Sequence, residues 1–281
     1  EVPAPYDAMY SDVEIPLPRR ESREAIEAMP PHLSRFILRG EARGQKAEFD
    51  MSPEKLQWIW RSYYGTISHI DDEVGAILNT LETTGLAENT IVVFVSDHGD
   101  QLLEHGLTGK NVFFEGSVRV PFMMKFPGHI RPGLRDELVM SIDLLPTLFE
   151  LCGLEAPYNA HGESLAPLIT KSERAYVPRE CVYSENIIPE VFTDEFPFKK
   201  GEGVMGVRHP DCKMVRTRRW KYNYYPAGHE ELFDLEDDPG EFTNLAGDPE
   251  HHATRDELKG RMMDWLITAT ETDQIAEKWL V

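Results

Sequence analysis

The feature that most limits what this chain can become is a long apolar periodicity that runs straight into a short apolar block. Leu56, Ile59, Trp60, Tyr63, Ile67, Ile70, Val74, Ile77, Leu78 and Leu81 recur at steps of one, three or four. That spacing puts them on one stripe of an α-helix. Ser52 is placed to cap the helix, Pro53 suits its first position, and Glu54 complements the positive end of the dipole. Gly85 supplies the stop. The spacing predicts about eight turns of helix. Ile91 to Val95 then reads IVVFV, a β-branched and aromatic run bounded by turn residues. Such a run predicts a strand buried on both faces, as in a parallel sheet covered by helices. A helix leading into a buried strand is the α/β pattern.

The rest of the chain is read around that core. Val120 to Phe126 is a second candidate strand ending at Pro127-Gly128, and Ser141 to Cys152 reads as a helix with Gly153 behind it. Residues 1 to 50 are rich in Pro and charge and read as mostly irregular, with one short helix near Arg20 to Met29. From about residue 180 the segments CVYSE, MVRTRRWKYNYY and ELFDLEDD are short, β-prone and separated by Gly, Pro and Asp. They predict a small antiparallel sheet. A last helix over Arg255 to Ala269 carries Leu258, Met262, Trp265 and Leu266 on one face. The expected division is an α/β portion, residues 1–170, and a smaller α+β portion, residues 171–281.

Net charge is −20 over 281 residues, which argues against a nucleic-acid partner, because phosphate backbones are held by basic surfaces. It leaves room for a small anion, since a metal or a few cations can invert the field inside one pocket. Cys152, Cys181 and Cys212 are widely spaced and odd in number, so they form neither a disulfide framework nor a zinc motif. No apolar run reaches the roughly 20 residues that span a bilayer. The opening, EVPAPYDAMYSDVEIPLP, has neither an initiating Met nor the regions of a signal peptide. It reads like an extended connector from inside a longer protein.

The chemistry-bearing residues cluster where the IVVFV strand ends, in SDHGDQLLEHGLTGK. The carboxyl ends of strands are where α/β proteins bind ligands. Asp97 and His98 there offer a hard oxygen and a borderline nitrogen, a mixed pair suited to a divalent cation. Lys110, between Gly109 and Asn111, has the flexible ammonium that neutralises a tetrahedral oxyanion. His105 is placed to act as a general acid or anion donor. The same residues also read as a helix-capping aspartate, a surface histidine and a solvated loop lysine.

The order of motifs adds weight. DHGDQLLEHGLTGKNVFFEGSVRVPFMMKFPG resembles the sulfatase signature: a strand ending in Asp-His/Asn-Gly, then Gly-Lys, an aromatic-Glu pair, Arg-Val-Pro and Pro-Gly. YYGTISHIDDEVGAILNTLETTGLAENTIVVFVSDHGD resembles the helix and strand leading into that family's site, and SIDLLPTLFELCGLEAP with HGESLAPLI the segments after it. RTRRWKYNYY, ELFDLEDDPGEFTNLAGDPE and the last helix resemble its small C-terminal domain. The resemblance, to the sulfatase branch of the alkaline-phosphatase-like superfamily, covers nearly the whole chain. It implies part of a sheet sandwiched by helices, followed by a small antiparallel sheet with a C-terminal helix. Asp97 and His98 then match cation-coordinating positions, usually for Ca2+, with Mn2+ or Mg2+ as alternatives. Lys110 matches the lysine on the sulfate ester, His105 falls in the same loop, and Glu115 and Arg119 match supporting positions. Asp71-Asp72 matches a structural pair inside the long helix. The implied partner is a sulfated small molecule or glycan, and the implied compartment is periplasmic, secreted or lysosomal.

The sequence departs from the family in two respects. The family's nucleophile is a formylglycine made from a Cys/Ser-x-Pro/Ala-x-Arg motif, and neither the three cysteines nor any serine here fits it. The family's Asp-Asp metal ligands are also not matched. The expected reading is the second half of a sulfatase, inactive alone, weak in metal binding and prone to self-association through an unpaired strand edge. The alternatives are a phosphonate monoester or phosphodiester hydrolase of the same superfamily, and a non-catalytic module that binds a sulfated ligand. Arg208, His209 and Trp220 are candidates for framing a sugar or aryl group.

Overall fold

A computed structural model of the chain describes residues 2–19, 21–38, 51–110, 112–156, 161–187, 211–225 and 228–269. They form two compact units, Glu1–Lys110 with Gly116–Ile130, and Asn111–Glu115 with Arg131–Val281. Residues 131–170, grouped by sequence with the first portion, pack within the second unit. The reason lies in polar anchors. Asp143, fully buried, takes both guanidinium nitrogens of Arg179 (Nη2–Oδ1 2.7 Å) and the backbone N–H groups of Met140 and Glu163.

The first unit begins with α1 (Arg23–Ala28), capped by Ser22 Oγ, and α2 (Pro31–Leu38). The long helix α3 (Pro53–Thr83) has Ser52 Oγ accepting from the Lys55 N–H, Pro53 at its first position and Gly85 just beyond its end at φ +73°. Gly is favoured there because a left-handed residue with a side chain crowds the following carbonyl. The Pro-rich opening is irregular, yet it is docked antiparallel along α3. Tyr6 Oη donates to Asp72 Oδ2 (2.7 Å), Tyr10 and Ser68 share a hydrogen bond (2.8 Å), Arg61 donates to the Val13 carbonyl, and Gln57 reaches the Ile15 backbone. Only Leu56 and Gly65 of α3 are buried, and Ile67, Ile70 and Ile77 of its apolar stripe are exposed.

Strand β1 (Val92–Val95) pairs antiparallel with β2 (Phe122–Lys125), in the register Val92↔Lys125 to Val95↔Phe122. A four-residue helix, α4 (Glu115–Val118), lies between them in the chain. The pairing corrects two expectations. β1 has an antiparallel neighbour, not a parallel one, and its residues are half-buried or exposed instead of covered on both faces. A continuous apolar run predicts the demand for burial but says nothing of the direction of the partner.

In the second unit, Ser141–Asp143 forms a 3-10 turn that leads into α5 (Leu144–Leu151), and α6 (Ala166–Ile169) follows. Four strands then make an antiparallel meander in the order β3 (Val182–Ile187), β4 (Asp211–Arg216), β5 (Trp220–Tyr225), β6 (His229–Asp234). The helix α7 (His252–Ala269) lays Leu258 and Met262 against Val215, Tyr222 and Leu232, and Trp265 stacks on Tyr183 at 4.6 Å. That is the apolar face expected of it. The fold is therefore α/β with antiparallel sheets and a C-terminal helix. Among the described residues, no helix is long and apolar enough to cross a membrane.

Charged groups in this unit link its stability to pH. Burial raises the carboxyls of Glu115, Glu230 and Asp234, but bound cations more than offset it, and all three lie below their ordinary values. Lys221 and Arg216 serve Glu115, Lys259 serves Glu230, and Arg219 serves Asp234. A folded value below the unfolded one gives stability that is full above the unfolded value and is lost as pH falls through the folded one. Glu241 works in the opposite sense, because burial raises it above its ordinary value. With three groups against one, the melting temperature of the unit is expected to fall as pH drops below about 4.5. Melts followed by circular dichroism between neutral and acid pH check this, and a flat or rising profile on acidification contradicts it.

Candidate active site loop

The candidate site lies within the first unit, in the loop between β1 and α4. Its framework is built by small hydrogen-bonding groups. Asp97 Oδ1 accepts from the His98 N–H (2.9 Å), and Ser96 Oγ donates to the His98 carbonyl (2.7 Å), which together tighten the strand end. Asp100 Oδ1 accepts from the Leu102 and Gly109 N–H groups (2.8 and 3.3 Å), and the Gln101 N–H donates to the Gly109 carbonyl (3.0 Å). The loop thus folds back on itself and delivers Lys110 beside the residues where it started. Leu102, Leu103 and His105 adopt left-handed backbone at φ 45°, 71° and 53°. Non-glycine residues in that region carry strain, held here by the closed loop.

Buried Ser117 joins the two arms. Its carbonyl accepts from the Gly99 N–H (2.8 Å), and its hydroxyl donates to the Lys110 carbonyl (2.9 Å). Gly99 is required by close approach: a Cβ there would stand 2.0 Å from the Gly116 carbonyl oxygen.

Three of the four candidate side chains converge. Lys110 Nζ is 2.6 Å from His98 Nε2, and Asp97 Oδ2 is 3.5 Å from the same nitrogen. The tautomer follows from two partners that each allow one role. A backbone carbonyl only accepts, so His98 Nδ1, 2.8 Å from the Gly99 carbonyl, carries the proton. An ammonium only donates, so Nε2 presents its lone pair to Lys110. A ligating histidine is held in this way, its far nitrogen fixed by a carbonyl and its near lone pair free for the cation.

Asp97 and His98 set a carboxylate oxygen and an imidazole nitrogen 3.5 Å apart. They are a pair: among the described residues, no cluster of three or more His, Cys, Asp or Glu could hold a metal. Asp97 and His98 are open to solvent, whereas His105 is turned inward. It is 3% exposed, with Nδ1 2.8 Å from Glu21 Oε1, itself buried. This contact ties the loop to the residues just before α1.

The supporting positions divide similarly. Glu115, in the second unit, bonds Arg216 (3.1 Å) and Lys221 (2.7 Å), while Arg119 is exposed. Trp220 is packed edge-on to His251 at 5.5 Å and under Arg219 at 5.1 Å. Arg208 and His209 lie outside the described residues. Sequence reasoning missed Ser117, Asp100 and Glu21. Asp100 alone had a usable signal, an acidic residue next to a tight turn.

Comparison with known proteins gives one consistent result. The family profile described as sulfatase matches residues 5–154, and that of the C-terminal part of N-sulphoglucosamine sulphohydrolase matches residues 103–267. A choline-sulfatase of Rhizobium meliloti (strain 1021) is 34% identical over 227 residues, which are 80% of this chain and 39% of that protein. A multifunctional alkaline phosphatase superfamily protein of Trinickia caryophylli is 31% identical over 277 residues, 94% of this chain and 52% of that one. Among solved structures, a phosphonate monoester hydrolase from Silicibacter pomeroyi superposes with a TM-score of 0.81 at 27% identity, over 96% of this chain and 54% of that chain. The chain thus spans about half the length of the relatives it matches, or less.

Proposed function

Because this chain belongs to the sulfatase family, we propose that it carries the cation-and-anion loop of a sulfuric ester hydrolase. In this reading Asp97 Oδ2 and His98 Nε2 are two donors to a divalent cation, Ca2+ by family, with Mn2+ or Mg2+ as alternatives. The bound cation would supply charge stabilisation for an ester oxygen. Lys110 contacts the same tetrahedral anion with its ammonium, where preorganised positive charge is most effective. Gly99, Ser117 and Asp100 hold these groups in register. His105, 2.8 Å from Glu21 in the same loop, stays a candidate general acid or anion donor in this reading. The observation that carries the reading is the convergence of Asp97, His98 and Lys110 around one imidazole lone pair.

The nucleophile lies outside these residues. No Cys/Ser-x-Pro/Ala-x-Arg sequence occurs in the 281, and a formylglycine is expected from another part of the full protein. Removing a whole nucleophile leaves only residual electrostatic effects. The 281-residue chain with Ca2+ is therefore expected to hydrolyse an aryl sulfate no faster than buffer. Turnover above buffer, abolished by Lys110→Ala, would overturn that assignment. A second reading, hydrolysis of a phosphonate monoester or phosphodiester, is favoured by the likeness to the phosphonate monoester hydrolase structure. The same loop serves either tetrahedral anion. Parallel assays of the full-length protein on an aryl sulfate and an aryl phosphonate separate the two by the ratio of kcat/KM.

A further inference from the structure

We infer that Glu21 is a positioning residue of the proposed ester-binding loop, acting through His105 on the strained turn that presents Lys110. The inference rests on reading that loop as the part that contacts the ester, and it adds a residue from outside the loop. Leu102, Leu103 and His105 all hold left-handed backbone, a conformation that costs a residue with a side chain about 1–2 kcal/mol. Such strain persists only where the surroundings enforce it. The turn is gripped at both ends. The Trp60 indole N–H of α3 donates to the Leu102 carbonyl (3.1 Å), and Glu21 Oε1 lies 2.8 Å from His105 Nδ1. A carboxylate only accepts, so Nδ1 carries the proton that makes this bond.

Glu21 is itself anchored. It stands directly before Ser22, whose hydroxyl caps α1 by accepting from the Ala25 N–H (3.1 Å), and α1 is seated by the fully buried Ile26. The pair is shielded from water, with 8% of the Glu21 side chain and 4% of the His105 side chain exposed. In such surroundings a hydrogen bond is electrostatically stronger than at the surface. From His105 the effect reaches Lys110 through the loop's own bonds. The Leu103 N–H donates to the Leu107 carbonyl (2.7 Å), and the Gln101 N–H to that of Gly109 (3.0 Å), the residue next to Lys110. Asp100 Oδ1 accepts from both the Leu102 and the Gly109 N–H. Relaxing the left-handed turn therefore moves Gly109, and the Lys110 stem moves with it.

Kinetics of the full-length protein, on whichever of the aryl sulfate and aryl phosphonate it turns over, test this. Glu21→Ala is expected to lower kcat about ten- to a hundredfold with KM within about threefold, the pattern of a displaced group that acts in the transition state. Length should matter more than charge. Glu21→Gln still offers an oxygen to Nδ1 and should stay within about threefold of wild type, while Glu21→Asp, which withdraws the carboxylate by one methylene, should lose more. Glu27→Ala, which removes an exposed carboxylate from α1, should leave kcat unchanged. In a Lys110→Ala background the cost of Glu21→Ala should shrink to less than about threefold, because the group it positions is gone. Glu21→Ala as active as Glu27→Ala, a cost that is the same with and without Lys110, or Glu21→Asp more active than Glu21→Gln would each overturn the inference. If Glu21→Ala does not fold, the order of the Gln and Asp variants decides. If Lys110→Ala turns over the ester like wild type, the reading of the loop fails and the positioning role falls with it.

Discussion

Lys221→Ala should destabilise the second unit by about 3–5 kcal/mol, the range found when one partner is removed from a buried ion pair. Lys221 is fully buried. Its ammonium donates to Glu241 Oε1 (2.6 Å) and to the Phe113 carbonyl (2.9 Å), and it pairs with Glu115 Oε1 (2.7 Å). Glu241, itself buried at φ 58°, uses its other oxygen to accept from the Glu115 N–H (2.6 Å). Without the ammonium, two carboxylates face each other and a backbone carbonyl loses its donor. The carboxyls already differ in the direction of their shifts. Burial raises Glu241, whereas Arg216 helps Lys221 bring Glu115 below its ordinary value. For a unit of this size the loss corresponds to a melting temperature lower by about 6–20 °C. Lys221→Met with Glu241→Gln should recover at least half, since the amide oxygen still accepts from Glu115 while the uncompensated charge is gone. Thermal melts of both variants check this. A Lys221→Ala loss under about 1 kcal/mol would show the network to be no more than a surface pair.

That network also shows how far the sequence could be read. The helix α3 was legible to the residue at both ends, because Ser52, Pro53, Glu54 and Gly85 act locally through caps and backbone preference. The four-strand meander and the apolar face of α7 were legible for the same kind of reason, short-range pattern. The strand Val92–Val95 was legible as a strand, but its antiparallel partner was not, since pairing direction depends on chain topology. Glu241 gave no local signal at all; its partner Glu115 is 126 positions away. At the site, Asp97, His98 and Lys110 stood out by residue type and motif order. The 2.6 Å contact between the two basic groups depends on a loop closed by Asp100 and Ser117, which no spacing rule reveals. The contact of His105 with Glu21 was not legible for the same reason, because a histidine in a polar loop gives no sign of a glutamate 84 positions away.

Gly99→Ala should cost the site more than it costs the fold. The added Cβ would stand 2.0 Å from the Gly116 carbonyl oxygen and 3.3 Å from that of Ser117, both backbone atoms that cannot rotate away. The strand-end turn has to move, and the Gly99 N–H bond to the Ser117 carbonyl (2.8 Å) moves with it. Forcing extra volume into packed backbone costs about 1–3 kcal/mol. Asp97 and His98 precede Gly99 directly, and Lys110 is tied to Ser117 by the hydroxyl of that residue. A shift at Gly99 therefore changes the distance between the cation donors and the ammonium. Displacements of about 1 Å at such constellations cost on the order of a hundredfold in function. Ca2+ affinity by calorimetry should accordingly drop more than tenfold, even at temperatures where circular dichroism shows the variant folded. Gly85→Ala supplies the contrast. It places a side chain at φ +73° beyond α3 with nothing within 4 Å of the new Cβ, which costs about 1–2 kcal/mol in backbone strain and does not touch the loop. Equal stability loss with unequal loss of Ca2+ affinity is the expected signature. If the two glycine variants bind Ca2+ alike, the close approach at Gly99 serves only the fold, and the strand-end turn does not set the geometry of the site.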